Sequence, residues 1–337
     1  MPTVLSRIAL VLSSLAWLPA YAGAQAPATK PSAAPSAPKP AAPRETAEKR
    51  FGALVEMRFD QPYAGNADPR QRADVYLPKK RSTDKPLPVV VFIHGGGWSG
   101  GDRKGYAPQA AALAATGNYV AVSVGYRLSG ETKWPSQIHD CKAAIRWIRG
   151  HAKELNIDPA KIGATGGSAG GHLVCLLGLT AGNKDLEGSI GDFTSLGSGV
   201  TCVVNFCGPT DMGAPLMQGE AAKKDDPAVA GLIGGPLAEN ADKVRASSPL
   251  TYVSKSAAPI MTVHGTNDAR VHFSNAEKLD AALKRAGAVS LLVPVTGAGH
   301  GIPVGPELAA RIQAFWDLHL RGIASEISTA PIAATAK

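Results

Sequence analysis

The run Gly166-Gly167-Ser168-Ala169-Gly170 stands between a strand-like segment, Ile162–Thr165, and an apolar helical pattern, Ala169–Leu179. A serine with glycines two residues to either side, at a strand-to-helix junction, is the G-x-S-x-G pattern in the context that gives it meaning. The turn must be sharp. It forces the serine into a strained backbone conformation, and the glycines let strand and helix approach closely. The start of the following helix offers unpaired N–H groups and a positive dipole end, which favour negative charge developing there. The bland alternative is a glycine-rich helix start that binds phosphate or merely packs. The neighbouring elements decide between the two.

Those neighbours alternate. Leu54–Phe59 and Ala73–Leu77 read as a short antiparallel pair, and Pro88–Ile93 as a strand covered on both faces. Helix 107–116, strand Tyr119–Val124 and helix Ser136–Leu155 precede the serine motif. After it come strand Thr201–Phe206, a Gly/Pro-rich stretch over 208–248, strand Ile260–Val263, helix Ser274–Ala286, strand Ser290–Val295 and helix Glu307–Leu320. The pattern predicts an α/β fold, a mostly parallel sheet with helices on both faces. Reactive groups in such sheets gather at the carboxyl ends of the strands. Ser168 passes that test.

So does His94-Gly95-Gly96-Gly97-Trp98, which follows strand 88–93. Consecutive glycines present backbone N–H groups with no side chain in the way, as the oxyanion of an acyl-transfer reaction requires. Gly96 and Gly97 are assigned to that role, joined by the Ala169 N–H; a flexible turn is the alternative. A serine hydroxyl also needs a base, and the base needs a carboxylate to fix its tautomer. Of eight histidines, His300 follows the last long strand in a glycine-bracketed loop, and Asp268 follows strand 260–263. Asp211 competes with Asp268 because it too follows a strand. His94 reads as a loop brace, His139 and His151 as surface residues, and His172 as a packing or capping residue. Trp98, Trp134 and Met212 are candidate walls of a substrate pocket, or ordinary packing.

At this point the sequence resembles an α/β-hydrolase of the esterase/lipase type from about Leu54 to Leu320. The resemblance rests on His94–Gly101, Tyr126-Arg127-Leu128 with Trp134-Pro135, Gly166–Gly171, His264-Gly265-Thr266-Asn267-Asp268 and Gly299-His300-Gly301. Within that fold it is similar to the bacterial acetyl xylan/feruloyl esterase-like (BD-FAE-like) carboxylesterases. Tyr126-Arg127-Leu128 is followed by Ser129-Gly130-Glu131 rather than the Ala-Pro-Glu common in lipase-like relatives. The resemblance implies an eight-stranded sheet with a short cap segment, a Ser168–Asp268–His300 triad, and no metal or organic cofactor. It implies a serine esterase for short-chain acyl or aromatic esters, free or on plant polysaccharide. A serine peptidase or amidase of the same fold, and a non-catalytic hydrolase-like binding protein, are the other readings.

Composition narrows the classes further. The net charge of +8 is half accounted for by Arg7, Lys30, Lys39, Arg44, Lys49 and Arg50 against Glu45 and Glu48. The rest of the chain shows no basic cluster, so no nucleic-acid groove is expected. The cysteines, Cys141, Cys175, Cys202 and Cys207, lack C-x-x-C metal spacing. They read as buried free thiols, with a Cys141–Cys175 bridge the alternative. No apolar run approaches the roughly 20 residues of a membrane span.

Arg7, the mainly apolar run Ile8–Leu18, Pro19 and Ala20-Tyr21-Ala22 together read as a secretory signal peptide over 1–22. A Pro/Ala-rich linker over 23–49, a catalytic domain over 50–322 and a loose tail over 323–337 complete the expected organisation. The protein is therefore expected in the periplasm or the medium. Cleavage after Ala22 or Ala24 fits the pattern, with Ala22 preferred, so intact-mass analysis after expression in a secreting host should find a chain beginning at Gly23 or Gln25. Uncleaved protein confined to the cytoplasm would overturn the leader.

Overall fold

The computed structural model describes residues 46–217 and 225–334. Its strands are β1 (Val55–Pro62), β2 (Arg72–Pro78), β3 (Leu87–Ile93), β4 (Val120–Val124), β5 (Ile157–Gly167), β6 (Cys202–Phe206), β7 (Ile260–Gly265), β8 (Ser290–Thr296) and β9 (Ile332–Ala333). They form one sheet in the order β1-β2-β4-β3-β5-β6-β7-β8-β9. The β1–β2 and β2–β4 pairs are antiparallel, and every pair from β4 through β3 to β9 is parallel. Strand β5 thus lies near the middle, with its carboxyl end flanked by those of β3 and β6.

Strand β3 is buried along its whole length because both its faces are covered. Val89, Val91 and Ile93 point into one apolar cluster, and Val90 and Phe92 into another. Helices α1 (Ala107–Ala114) and α7 (Pro306–Trp316) supply the second cluster. Helices α2 (Ser136–Gly150), α3 (Ala169–Leu179) and α6 (Ser274–Arg285) supply the first. The period-two alternation of the strand therefore sorts its side chains between two helical layers. Two shorter helices, α4 (Pro227–Ile233) and α5 (Ala241–Ser247), form within the Gly/Pro-rich stretch after β6, and Asp226 caps α4 through the Ala228 and Val229 N–H groups. Among the described residues no helix is long and apolar enough to cross a membrane.

Several boundaries differ from the sequence reading. The expected leader, and the linker up to residue 45, lie outside the described residues. A short helix, Ala47–Phe51, spans the expected domain start at residue 50: Thr46 Oγ1 accepts from Lys49 N–H at its start, and Phe51 is buried. The long helix expected over 136–155 is interrupted at His151, with a separate turn over Ala152–Leu155. Strand β5 runs further than Ile162–Thr165 at both ends, reaching the residue before Ser168.

The sheet has nine strands, not eight, since part of the expected tail is paired. Ile332 and Ala333 lie in register with Val295 and Thr296, while the Arg311 guanidinium donates to the Ser328 and Ala330 carbonyls. A tail can be docked by main-chain bonds to one mostly buried arginine without any sequence periodicity of its own. Truncation after Gly322 leaves Arg311 without these acceptors. It should cost about 2 kcal/mol, seen as a fall of several degrees in Tm; an unchanged Tm would contradict the docking.

Candidate active site

Ser168 occupies the turn from β5 to α3 with φ 56° and ψ −122°. A non-glycine residue there is strained by about 1–3 kcal/mol and must be over-determined by its surroundings. The Ser168 N–H donates to Phe206 O at the end of β6, 2.8 Å away, and the Ser168 carbonyl accepts from His172 N–H at 3.0 Å. Close approach does the rest. A Cβ on Gly170 would stand 2.1 Å from Ile93 O, and one on Gly95 would stand 2.6 Å from Gly167 O and 3.4 Å from the Ser168 Cβ. Only glycines let the β3 loop lie directly against the serine.

That loop turns through left-handed torsions, φ 119° at Gly96 and 58° at Gly97. Its stem is fixed by His94. The ring stacks on Tyr126 at 4.2 Å, Nδ1 donates to Gly95 O, and the Tyr126 hydroxyl donates to His94 O at 3.0 Å. Burial drives the His94 pKa down to about 4, so the ring is neutral and serves as the expected brace. Arg127, beside Tyr126, is held by the buried Asp140 carboxylate at 2.7 Å. Among the described residues no carbonyl accepts from the Gly96 or Gly97 N–H. The Ala169 N–H is the first of helix α3 and has no partner within the helix by construction. The Ala169 N–H directly follows the serine, and the Gly96 and Gly97 N–H groups stand in the loop that Gly95 lays against it.

The acid and base are joined. His300 Nδ1 donates to Asp268 Oδ2 at 2.8 Å, which leaves Nε2 as the ring nitrogen outside the pair. Asp268 is held from every side. Its Oδ1 accepts from the Arg270 and Val271 N–H groups at 2.8 and 2.9 Å, and His264 Nε2 lies 3.2 Å from Oδ2. Burial alone would push this carboxyl up. Hydrogen bonds from His264 and His300, the His300 charge and the Val271 N–H more than reverse that and hold it well below the usual carboxylate range. It stays ionised and orients the imidazole. Asp211, the competing acid, instead meets Lys278 at 2.9 Å near the surface.

The sequence reading names His264 within the His264–Asp268 run but gives neither it nor the two N–H groups a role. The only signal was the spacing His264-x-x-x-Asp268 followed by Arg270 and Val271, an Asx-type turn that folds its amides back on the carboxylate. Cys207, His264 and Asp268 carry ligand atoms within 4.8 Å of one another, a spacing a metal ion requires. Two of these atoms already serve other bonds: Asp268 Oδ2 accepts from His300, and His264 Nε2 is shared between Asp268 Oδ2 and Val271 O. All four cysteines are buried and free, and burial pushes their thiols up.

The proposed pocket walls need correction. Trp98, Trp134 and Met212 are 2%, 6% and 0% exposed and belong to the apolar core. Large apolar surfaces of this kind are more favourably buried than left at a wet mouth. Trp98 and Trp134 both pack edge-on against His172, with ring centroids 5.1 and 6.0 Å away.

The BD-FAE family model matches residues 73–283, a span that takes in the Gly95–Gly97 loop, Ser168 and Asp268. The chain belongs to the BD-FAE family. It is an α/β-hydrolase of the esterase type, in agreement with the fold and with its relatives. Esterase LipC of Mycobacterium tuberculosis is 32% identical over 237 residues, covering 69% of this chain and 57% of LipC. This BD-FAE chain spans little more than half the length of the curated relatives it matches first. Among solved structures, a truncated carbohydrate esterase from gut microbiota superposes with a TM-score of 0.73 at 32% identity, covering 80% of this chain and 97% of that one. Esterase 2 of Thermogutta terrifontis with propionate bound gives a TM-score of 0.62 at 26% identity, covering 81% and 96%.

The two aspartates separate cleanly by experiment. Asp268→Asn should lower kcat by about 10⁴-fold, whereas Asp211→Asn should stay within about twofold of the parent, since it loses only an exposed ion pair. Full activity in Asp268→Asn would sink the assignment.

Proposed function

We propose that the chain hydrolyses carboxylic esters through an acyl-enzyme formed on Ser168. Ser168 Oγ attacks the ester carbonyl while His300 Nε2 takes its proton, and the Gly96, Gly97 and Ala169 N–H groups receive the oxyanion. As the C–O bond to the alcohol breaks, His300 returns that proton to the leaving oxygen. Water then attacks the acyl-enzyme, gives a proton to the same nitrogen, and releases the acid and free Ser168. Asp268 stays ionised throughout and stabilises the imidazolium. The observation that carries this reading is the Asp268–His300 bond, formed in the loops that follow β7 and β8, on a sheet whose central strand ends in a strained serine.

For substrates we infer short-chain acyl or feruloyl-type esters, including those carried by plant polysaccharide. The supports are the family itself, the carbohydrate esterase from gut microbiota and the propionate bound to the Thermogutta enzyme. The signal-peptide pattern over residues 1–22 supports a role outside the cytoplasm, where polymeric esters are met.

The test is hydrolysis of p-nitrophenyl acetate, methyl ferulate and a peptide p-nitroanilide, with Ser168→Ala alongside. Ester turnover that disappears in the variant is expected, and the acetate-to-ferulate ratio reports acyl preference. Anilide cleavage without ester cleavage would favour an amidase, and silence from folded protein a binding role. The rate should fall on acidification, because general-base catalysis needs an unprotonated imidazole, while Asp268 remains charged. A rate that stays flat down to about pH 4 would contradict this mechanism.

A further inference from the structure

His172 is fully buried one turn into helix α3, the helix that Ser168 caps. Its ring joins two distant segments. Trp98 Nε1 lies 3.2 Å from Nδ1, and Ser247 O, at the end of α5, lies 2.7 Å from Nε2. An indole N–H can only donate. Nδ1 must therefore be the acceptor, and Nε2 carries the proton that it donates to the Ser247 carbonyl. Burial drives the His172 pKa down to about 4, so the neutral ring this requires is the stable form.

Trp98 is the residue directly after the oxyanion glycines, and it too is left-handed, with φ 57°. A bulky side chain in that region is a strained outlier that relaxes unless it is held. Two contacts hold it. The Trp98 carbonyl accepts from Ser129 N–H at 2.8 Å, and the indole N–H is taken by His172. Any relaxation of Trp98 would rotate the Gly97 peptide, and oxyanion donors lose their effect when displaced by a fraction of an ångström.

We propose that His172 is a positioning residue for acyl transfer: by accepting the Trp98 indole N–H it holds the Gly96–Gly97 donors in register with Ser168, whose helix it shares. This rests on the acyl-transfer reading of the site.

Three variants isolate the bond. Trp98→Phe keeps an aromatic ring and removes the donor. His172→Gln places an amide nitrogen near the Nε2 position and withdraws the acceptor, whereas His172→Asn places an amide oxygen near Nδ1 and retains it. The readouts are kcat and KM for p-nitrophenyl acetate, the rate of Ser168 labelling by a fluorophosphonate, and Tm.

Trp98→Phe and His172→Gln are each expected to lower kcat and the labelling rate by about tenfold to a hundredfold, below the loss of a whole oxyanion donor, with KM within about twofold. Their double variant should be no worse than the poorer single, as for groups that act as one unit. His172→Asn should recover most of the rate. The inference is overturned if folded Trp98→Phe keeps the parental kcat, if the two losses multiply, or if Asn is as damaging as Gln. Should His172→Gln fail to fold, Trp98→Phe decides alone. Labelling needs no ester turnover, so a parent protein that is labelled yet leaves all esters intact defeats the esterase reading, and the labelling rates still judge His172.

Discussion

A carbon atom on Gly170 would stand only 2.1 Å from the Ile93 carbonyl, and one on Gly95 only 3.4 Å from the Ser168 Cβ. This contact between helix α3 and the end of β3 is the constraint on which the rest of the catalytic end depends. It brings the glycine loop after β3 against Ser168 without a side chain between them. It also presses the β5–α3 turn tight enough that Ser168 has no extended alternative, so strain at the serine and donor placement share one cause. The apolar layers on either side of β3 and β5 supply the burial that keeps this strained geometry in place.

The second half of the site is built by different physics. Asp268 and His300 come from loops after β7 and β8, strands that pair in parallel. Parallel pairing places the two loops at one edge, and the carboxylate does the rest by gathering donors. Two main-chain amides and two imidazoles converge on it, which is more hydrogen bonding than orientation of one histidine requires. The surplus offsets the cost of burying a charged group, so a buried carboxylate stays ionised where an unassisted one would be protonated.

Buried histidines are a recurring structural device of this protein. His94 stacks on Tyr126 at the start of the oxyanion loop, His172 bridges Trp98 and Ser247, and His264 braces Asp268. Burial lowers the pKa of His94 and His172, and the His172 ring engages both its nitrogens, one as acceptor and one as donor. A ring with both capacities joins segments that two like-minded polar groups could not.

The sequence by itself determined the order of strands and helices, the mostly parallel sheet, the serine turn and the glycine loop. It also determined the choice of Asp268 and His300 from the residues that follow strands. These signals are local: an apolar run, a period, or a glycine at a set offset reads within a window of a few residues. Chain order favoured Asp268 over Asp211, and only the tertiary structure showed the partner each meets, His300 or Lys278. It alone buried Trp98, Trp134 and Met212 and docked the tail through Ile332 and Arg311. Contacts such as that of Trp98 with His172, 74 residues apart, leave no periodic trace in the chain. They arise when packing closes the distance, and any donor and acceptor of suitable shape satisfies the same local pattern.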